Sequence, residues 1–294
     1  MKASWPRDLR HQLRITAARE ALQRAGPILN KSILALDYPP NAANVPRYPI
    51  PQARLANLIA AGDPRYRETV AMIGEYTGDL ARIALRSTDE PEPSWQNGFL
   101  PGLDAAAIYA LLRSRSPAKY IEIGSGNSTK FARRAVTDGG LRTRITSIDP
   151  YPRASINPLC DEVLRTPLES LDLSLWETVQ AGDMIFMDGS HRVFMNNDVV
   201  AFFLDVLPSL SAGVLVGVHD VYLPYDYPDD IADRYYSEQY VLAAYLLGGA
   251  DVEYILPAHY VFTSMRSEVE ALWAKSECFA KLEHHGVAFW LETK

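Results

Sequence analysis

The sequence predicts an α/β fold: a mainly parallel seven-stranded sheet with helices on both faces, preceded by a helical N-terminal region. Three observations predict it. Short apolar runs alternate with helical stretches from Lys119 onward, the pattern of parallel strands covered on both faces. The first of these runs ends in a glycine turn that leads into a helical stretch. The balance of 48% hydrophobic and 22% charged residues is that of an ordinary globular chain.

The elements follow in order. Leu9, Leu13, Ala17 and Ala21 recur every four residues and predict a helix over 8–30. Tyr38-Pro39-Pro40-Asn41 through Pro51 reads as loop. Helices are expected over 64–86, with Pro64 at the start, and over Leu103 to Arg113. Residues 1–117 thus form a helical N-terminal region that caps the site, meets substrate or forms an oligomer contact, and 118–294 form the site-bearing domain. In that domain strands are expected at 120–123, 144–148, 162–165, 183–187 and 214–218, with later ones over Val252 to Phe262 and Val287 to Leu291. Helices are expected over 128–136, 196–207, 234–247 and 267–276. Right-handed crossovers then bring the strand C-termini to one edge, where ligands bind.

Bulk properties exclude several classes. No run of about 18 apolar residues occurs, so no transmembrane helix is expected. The first residues are polar and basic, without a signal-peptide core. Cys160 and Cys278 are too few for a disulfide framework or a zinc cluster, which predicts a cytoplasmic protein. The net charge of −7 argues against a nucleic-acid partner. Residues 1–31 nevertheless carry a net +5, which leaves −12 on the remainder. A solvated helix face explains this, and a contact with RNA or an anionic substrate is the alternative.

The most informative segment is Glu122-Ile123-Gly124-Ser125-Gly126-Asn127-Ser128. Two glycines between a strand and a helix allow a tight turn and close approach of a ligand. Asp149 closes the next strand, 23 residues after Gly126, where an acid can grip ribose hydroxyls. A plain strand–turn–helix with a capping carboxylate is the simpler alternative. A dinucleotide fingerprint would have its third small residue at 129, which is threonine. Glu122 would repel a pyrophosphate but attract a cationic amino-acid ligand.

These residues, with Ser147-Ile148-Asp149-Pro150, resemble motif I and the acidic strand-two loop of class I S-adenosylmethionine-dependent methyltransferases, over roughly 118–294. The resemblance implies a Rossmann-like domain with S-adenosylmethionine as cofactor. It implies cofactor binding by Glu122, Gly124, Ser125, Gly126, Asn127, Ser128, Asp149 and Asp188, with adenine near Thr166 to Glu169. Ser128 stands where the family's third glycine is usual.

Two further clusters fall at strand ends: Met187-Asp188-Gly189-Ser190-His191 and Val218-His219-Asp220-Val221. A parallel sheet brings Asp188, His191, His219 and Asp220 together near the cofactor. The pairing is similar to that of macrocin-type O-methyltransferases and cephalosporin-biosynthesis methyltransferase-like proteins, several of which bind a magnesium-type ion at such acids. Asp188, His219 and Asp220 are therefore candidate ligands for Mg²⁺ or, given the imidazole, Mn²⁺. His219-Asp220 replaces the adjacent acid pair common in metal-dependent relatives. His191, His219 and Asp220 are the candidate catalytic residues, with His191 as a base near neutrality. A histidine hydrogen-bonded at a strand end is the bland alternative. His11, His259, His284 and His285 are expected to be structural or surface residues. Trp95 to Pro101 and Tyr222 to Pro228 are aromatic loops that could cover a substrate.

The expected function is O-methylation of a small molecule by in-line transfer, with a homo-oligomer possible and no membrane partner. The alternatives are a non-catalytic S-adenosylmethionine-binding sensor or partner protein, and a metal-dependent enzyme of other chemistry on the same fold.

Overall fold

The computed structural model describes residues 21, 24, 52–87, 91–229, 231 and 234–294. Ala21 and Arg24 are helical; the rest of the expected 8–30 helix and the loop through Pro51 lie outside the described residues. The chain divides into two compact units, Met1–Val45 and Pro46–Lys294. The second holds the sheet.

Seven strands are present among the described residues: β1 (Lys119–Ile123), β2 (Arg144–Ile148), β3 (Glu162–Leu164), β4 (Met184–Met187), β5 (Leu215–Val218), β6 (Val252–Pro257) and β7 (Phe289–Thr293). Their order is β3-β2-β1-β4-β5-β7-β6. The first five run parallel, and β7 lies antiparallel between β5 and β6. The sheet reverses direction of growth between β1 and β4, so the C-terminal ends of these two strands flank a crevice.

The sequence of each strand explains its place. β4 (MIFM) and β5 (LVGV) are buried throughout, as central parallel strands must be. The glycine inside β5 has a packing reason. Gly217 pairs with Trp290 across the β5–β7 ladder, and a Cβ at 217 would lie 2.6 Å from the indole. Trp290 instead stacks on Phe186 of β4 at 5.3 Å. The absent side chain lets one large ring serve two strands.

The longer helices are α1 (Ala53–Ala60), α2 (Asp63–Glu75), α3 (Gly102–Arg115), α4 (Asn127–Gly139), α5 (Glu238–Leu247), α6 (Ala258–Ser264) and α7 (Arg266–Trp273). Helix α3 is buried from Gly102 to Leu112 on every side, which fits its nearly uniform apolar sequence GLDAAAIYALL. It packs beside α4, where Tyr109 donates to Asp138 at 2.7 Å. Helices α1 to α3 thus share one compact unit with the sheet.

Three expected elements differ. The strand expected over Val252 to Phe262 stops at Pro257, and Ala258–Ser264 is helix. Proline supplies no N–H to extend the ladder and suits the entry to a helix. The helix expected over 64–86 ends at Glu75, with a separate turn at Thr77–Leu80. The helix expected over 196–207 is a short α-turn, Asp198–Ala201, that widens into a π-helical stretch, Phe202–Val206.

Candidate active site

The glycine turn leaves β1 and immediately meets β4. Gly124 has φ +77°, and a Cβ there would lie 1.8 Å from the Asp188 carbonyl oxygen. Only glycine fits both the backbone angle and the approach. The turn is pinned by Gly124 N–H donating to Ile148 O at 2.9 Å and Asp188 N–H donating to Ile123 O at 2.8 Å. At Gly126 a Cβ would meet nothing within 4 Å, so open space lies beside the backbone where helix α4 begins.

Asp149, at the end of β2, is tied to this turn. Its carboxylate accepts from Ser125 N–H at 2.9 Å and from Tyr151 N–H at 2.7 Å, and it remains partly exposed. Ser125 and Ser147 share a hydroxyl contact of 2.7 Å beneath it. Glu122 and Asp149 therefore stand on the same rim of the sheet, in the register that pairs Glu122 with Ser147.

Glu122 is wholly buried. It accepts hydrogen bonds from the Thr129 hydroxyl and, at 3.1 Å, from Tyr120. Thr129 also accepts from Gly126 N–H at 3.0 Å, so the acid braces the turn from behind. Burial pushes the Glu122 carboxyl up to about 8, against the opposing pull of hydroxyls at Ser128, Thr129 and Tyr120. The acid expected to attract a cationic ligand thus spends its hydrogen bonds on the loop itself. Ser128 is buried, while Asn127 donates to Asn97 at 3.3 Å. The Thr166 to Glu169 segment follows β3 directly, and Arg165 there donates to the Asp149 carbonyl at 2.8 Å.

At the ends of β4 and β5 the second and third clusters meet. Asp188 Oδ1 lies 3.2 Å from His191 Nε2 and 3.2 Å from His219 Nδ1. Asp220 Oδ2 lies 3.4 Å from His191 Nε2, and its Oδ1 3.8 Å from His219 Nδ1. His191 and Asp220 both have positive φ, 59° and 54°, in the left-handed region that most side chains avoid. Two acids not singled out in the sequence complete the group. Glu238, at the start of α5, lies 2.9 Å from His191 Nδ1. Asp104, in the first turn of α3, lies 3.4 Å from His219 Nε2. Each is fully buried. The signal for Asp104 was available: it is the one charged residue in the buried run Gly102 to Leu112.

The electrostatics follow from this crowding. Burial opposes charge on both imidazoles, but the carboxylates outweigh it and hold His191 and His219 well above the ordinary histidine value. Burial would raise Asp188, yet the neighbouring imidazoles hold it well below the carboxylate range. Burial raises Glu238 despite its bond to His191. With both nitrogens facing carboxylates, His191 carries a proton and accepts none as a lone base. The metal expected at Asp188, His219 and Asp220 finds no ready cage. Among the described residues no three His, Cys, Asp or Glu donors are grouped to hold an ion, and Asp188 Oδ1 already faces two ring nitrogens.

The two aromatic loops divide. Trp95 is core, packed against Phe131, Trp273 and Phe279, whereas Phe99 is 67% exposed with Arg153 over its ring. Tyr222 and Tyr227 pack edge to face. Tyr236, on the approach to α5, lies 4.7 Å from the His191 ring.

Residues 121–221 match the family model described as a methyltransferase domain, a span of about a third of the chain. Comparison with curated proteins returns no match. Among solved structures the chain is similar to the SAH-bound Podospora anserina methyltransferase PaMTH1, at 16% identity over 89% of this chain and 100% of that one, with a TM-score of 0.42. It is similar to an O-methyltransferase from Bacillus cereus in complex with SAH, at 13% identity over 94% and 97%, TM-score 0.40. A third is MycE methyltransferase from the mycinamycin biosynthetic pathway, in complex with Mg, SAH and mycinamycin VI, at 14% identity over 68% and 52%, TM-score 0.37. Likenesses this distant carry no argument about what the chain acts on. The family match runs from the middle of β1 to the residue after Asp220, and the span similar to a methyltransferase domain takes in every expected site residue.

Proposed function

We propose that this chain is a class I S-adenosylmethionine-dependent methyltransferase that transfers methyl to a hydroxyl oxygen of a small molecule. The observation that carries the reading is the join between the glycine turn and Asp149, made by Ser125 N–H at the edge where the Asp188–His191–Asp220 group stands. The residues fit the nucleoside: Gly126 leaves room beside the backbone, and Asp149 keeps a partly exposed carboxylate for ribose hydroxyls.

S-adenosylmethionine, when bound, supplies an electrophilic methyl group. The protein's part is alignment of the acceptor oxygen at about 3 Å and removal of its proton. An uncharged hydroxyl keeps its proton at neutral pH, so an acceptor for it is needed. Asp220 provides one, its carboxylate oxygen receiving the proton beside the His191 imidazolium. Calorimetry with S-adenosylmethionine and S-adenosylhomocysteine tests the reading. Binding of both is expected, weakened at least tenfold by Asp149→Ala. Folded protein that binds neither overturns it.

A further inference from the structure

Resting on the transferase reading, we propose that Glu238 and Asp104 are positioning residues, each clamping the outer nitrogen of one histidine so that the inner nitrogens of both face Asp188. The carboxylates and imidazoles alternate in one line, Asp104, His219, Asp188, His191, Glu238, with separations of 3.4, 3.2, 3.2 and 2.9 Å. The ends of the line are the two fully buried acids, and the middle is the partly exposed one, whose side chain is 31% accessible. The line therefore runs from the core on either side toward the open edge.

Glu238 makes the sharper case. An acid at a helix start ordinarily sits in solvent, where it interacts with the helix dipole at little cost. Here it is withdrawn completely, and a buried carboxylate is expensive unless paired. Its Oε1 has no hydrogen-bond partner among the described residues, and its Oε2 faces His191. The backbone reinforces the same contact: Ser237 and Glu238 N–H both reach His191 O, at 2.8 and 3.1 Å. Among the described residues the carboxylate thus has one partner, the ring whose other nitrogen meets Asp188 and Asp220. Fixing Nδ1 leaves the ring one orientation, which explains how a residue at φ 59° can present Nε2 to two carboxylates at once.

Asp104 stands on the other side at an ion-pair distance of 3.4 Å from His219 Nε2, without hydrogen-bond geometry, and it has a second duty. It accepts from Val287 N–H at 2.7 Å and Ala288 N–H at 3.0 Å, which ties α3 to the segment entering β7. Its carboxylate is thereby held in place beside His219 Nε2.

The test is nitrogen-15 NMR of the histidine rings in the full chain, with calorimetry of S-adenosylhomocysteine on the same samples. In the wild type, His191 and His219 should each show a downfield, slowly exchanging ring N–H. Glu238→Gln should speed exchange of the His191 signal at least tenfold and leave His219 unchanged, with Glu238→Asp restoring part of the protection. Asp104→Asn should do the converse. Asp104 also holds backbone, so this variant can unfold; Glu238→Gln alone then decides. Unchanged His191 signals in folded Glu238→Gln overturn the proposal. The calorimetry separates the two readings: intact ring signals without cofactor binding defeat the transferase reading, and cofactor binding with unmoved rings defeats the clamp.

Discussion

Asp149 accepts a backbone N–H from the glycine turn while keeping a face toward solvent, so its loss should be felt by a ligand more than by the fold. Asp149→Ala is expected to weaken S-adenosylhomocysteine binding at least tenfold in calorimetry, in line with about 1.5–3 kcal/mol for a hydrogen bond to a charged group. Glu122 behaves in the opposite way. Its carboxyl is raised by burial to about 8 from an ordinary 4.5. An acid raised on folding favours the folded state while protonated. That contribution is complete below about pH 4.5, declines as pH rises, and is gone above about pH 8. Glu122→Gln should therefore gain stability relative to the wild type between pH 5 and pH 8, by at most about 1.4 kcal/mol per pH unit. Urea melts at the two pH values measure it, and an unchanged difference would mean that Glu122 is ionised throughout.

At the scale of elements, the turn between β1 and α4 should tolerate no side chain at its first glycine. Gly124→Ala places a methyl 1.8 Å from Asp188 O at φ +77°, so the β1 and β4 ends must part. A loss of about 3 kcal/mol or more in chemical denaturation is expected, with cofactor binding abolished. Gly126→Ala meets nothing within 4 Å and should fold like the wild type while binding the cofactor less well. Trp95→Ala should cost about 3–5 kcal/mol, because its ring touches Phe131, Trp273 and Phe279 rather than a substrate. These elements also show what the sequence could reveal. Strands β1, β2, β4 and β5 were legible because each is a short buried run bounded by turn residues. The end of β6 was not: Tyr254, Ile255, Tyr260, Val261 and Phe262 all favour strand, and the break at Pro257 depends on how the ladder with β7 ends. The clusters at 188–191 and 219–220 could be placed because parallel strands share an edge. Glu238 could not, because an acid after Ser237 at a helix start looks the same whether solvated or buried. The proton on His191 was equally hidden, since Asp188 nearby sets it only together with Glu238, 47 residues on.

For the molecule as a whole, ligand binding and folding are coupled by mass action. S-adenosylhomocysteine at about 100 times its dissociation constant should add about 2.7 kcal/mol to the stability of the unit from Pro46 to Lys294. A chelator should leave the melting midpoint where it was, given the absence of a three-donor group among the described residues; a fall that added Mg²⁺ or Mn²⁺ reverses would place an ion at Asp188. No helix among the described residues is long and apolar enough to cross a membrane.

The antiparallel insertion of β7 between β5 and β6 has a consequence for biosynthesis. Until Phe289–Thr293 has left the ribosome, β5 is an open border of a five-stranded sheet and β6 has nothing to pair with. Val287 and Ala288, which anchor Asp104, arrive just before it. A nascent chain arrested at residue 280 would therefore hold the glycine turn and both histidines, yet lack the fastening that sets His219. Competence for the nucleoside should emerge earlier along the growing chain than the finished proton-handling edge.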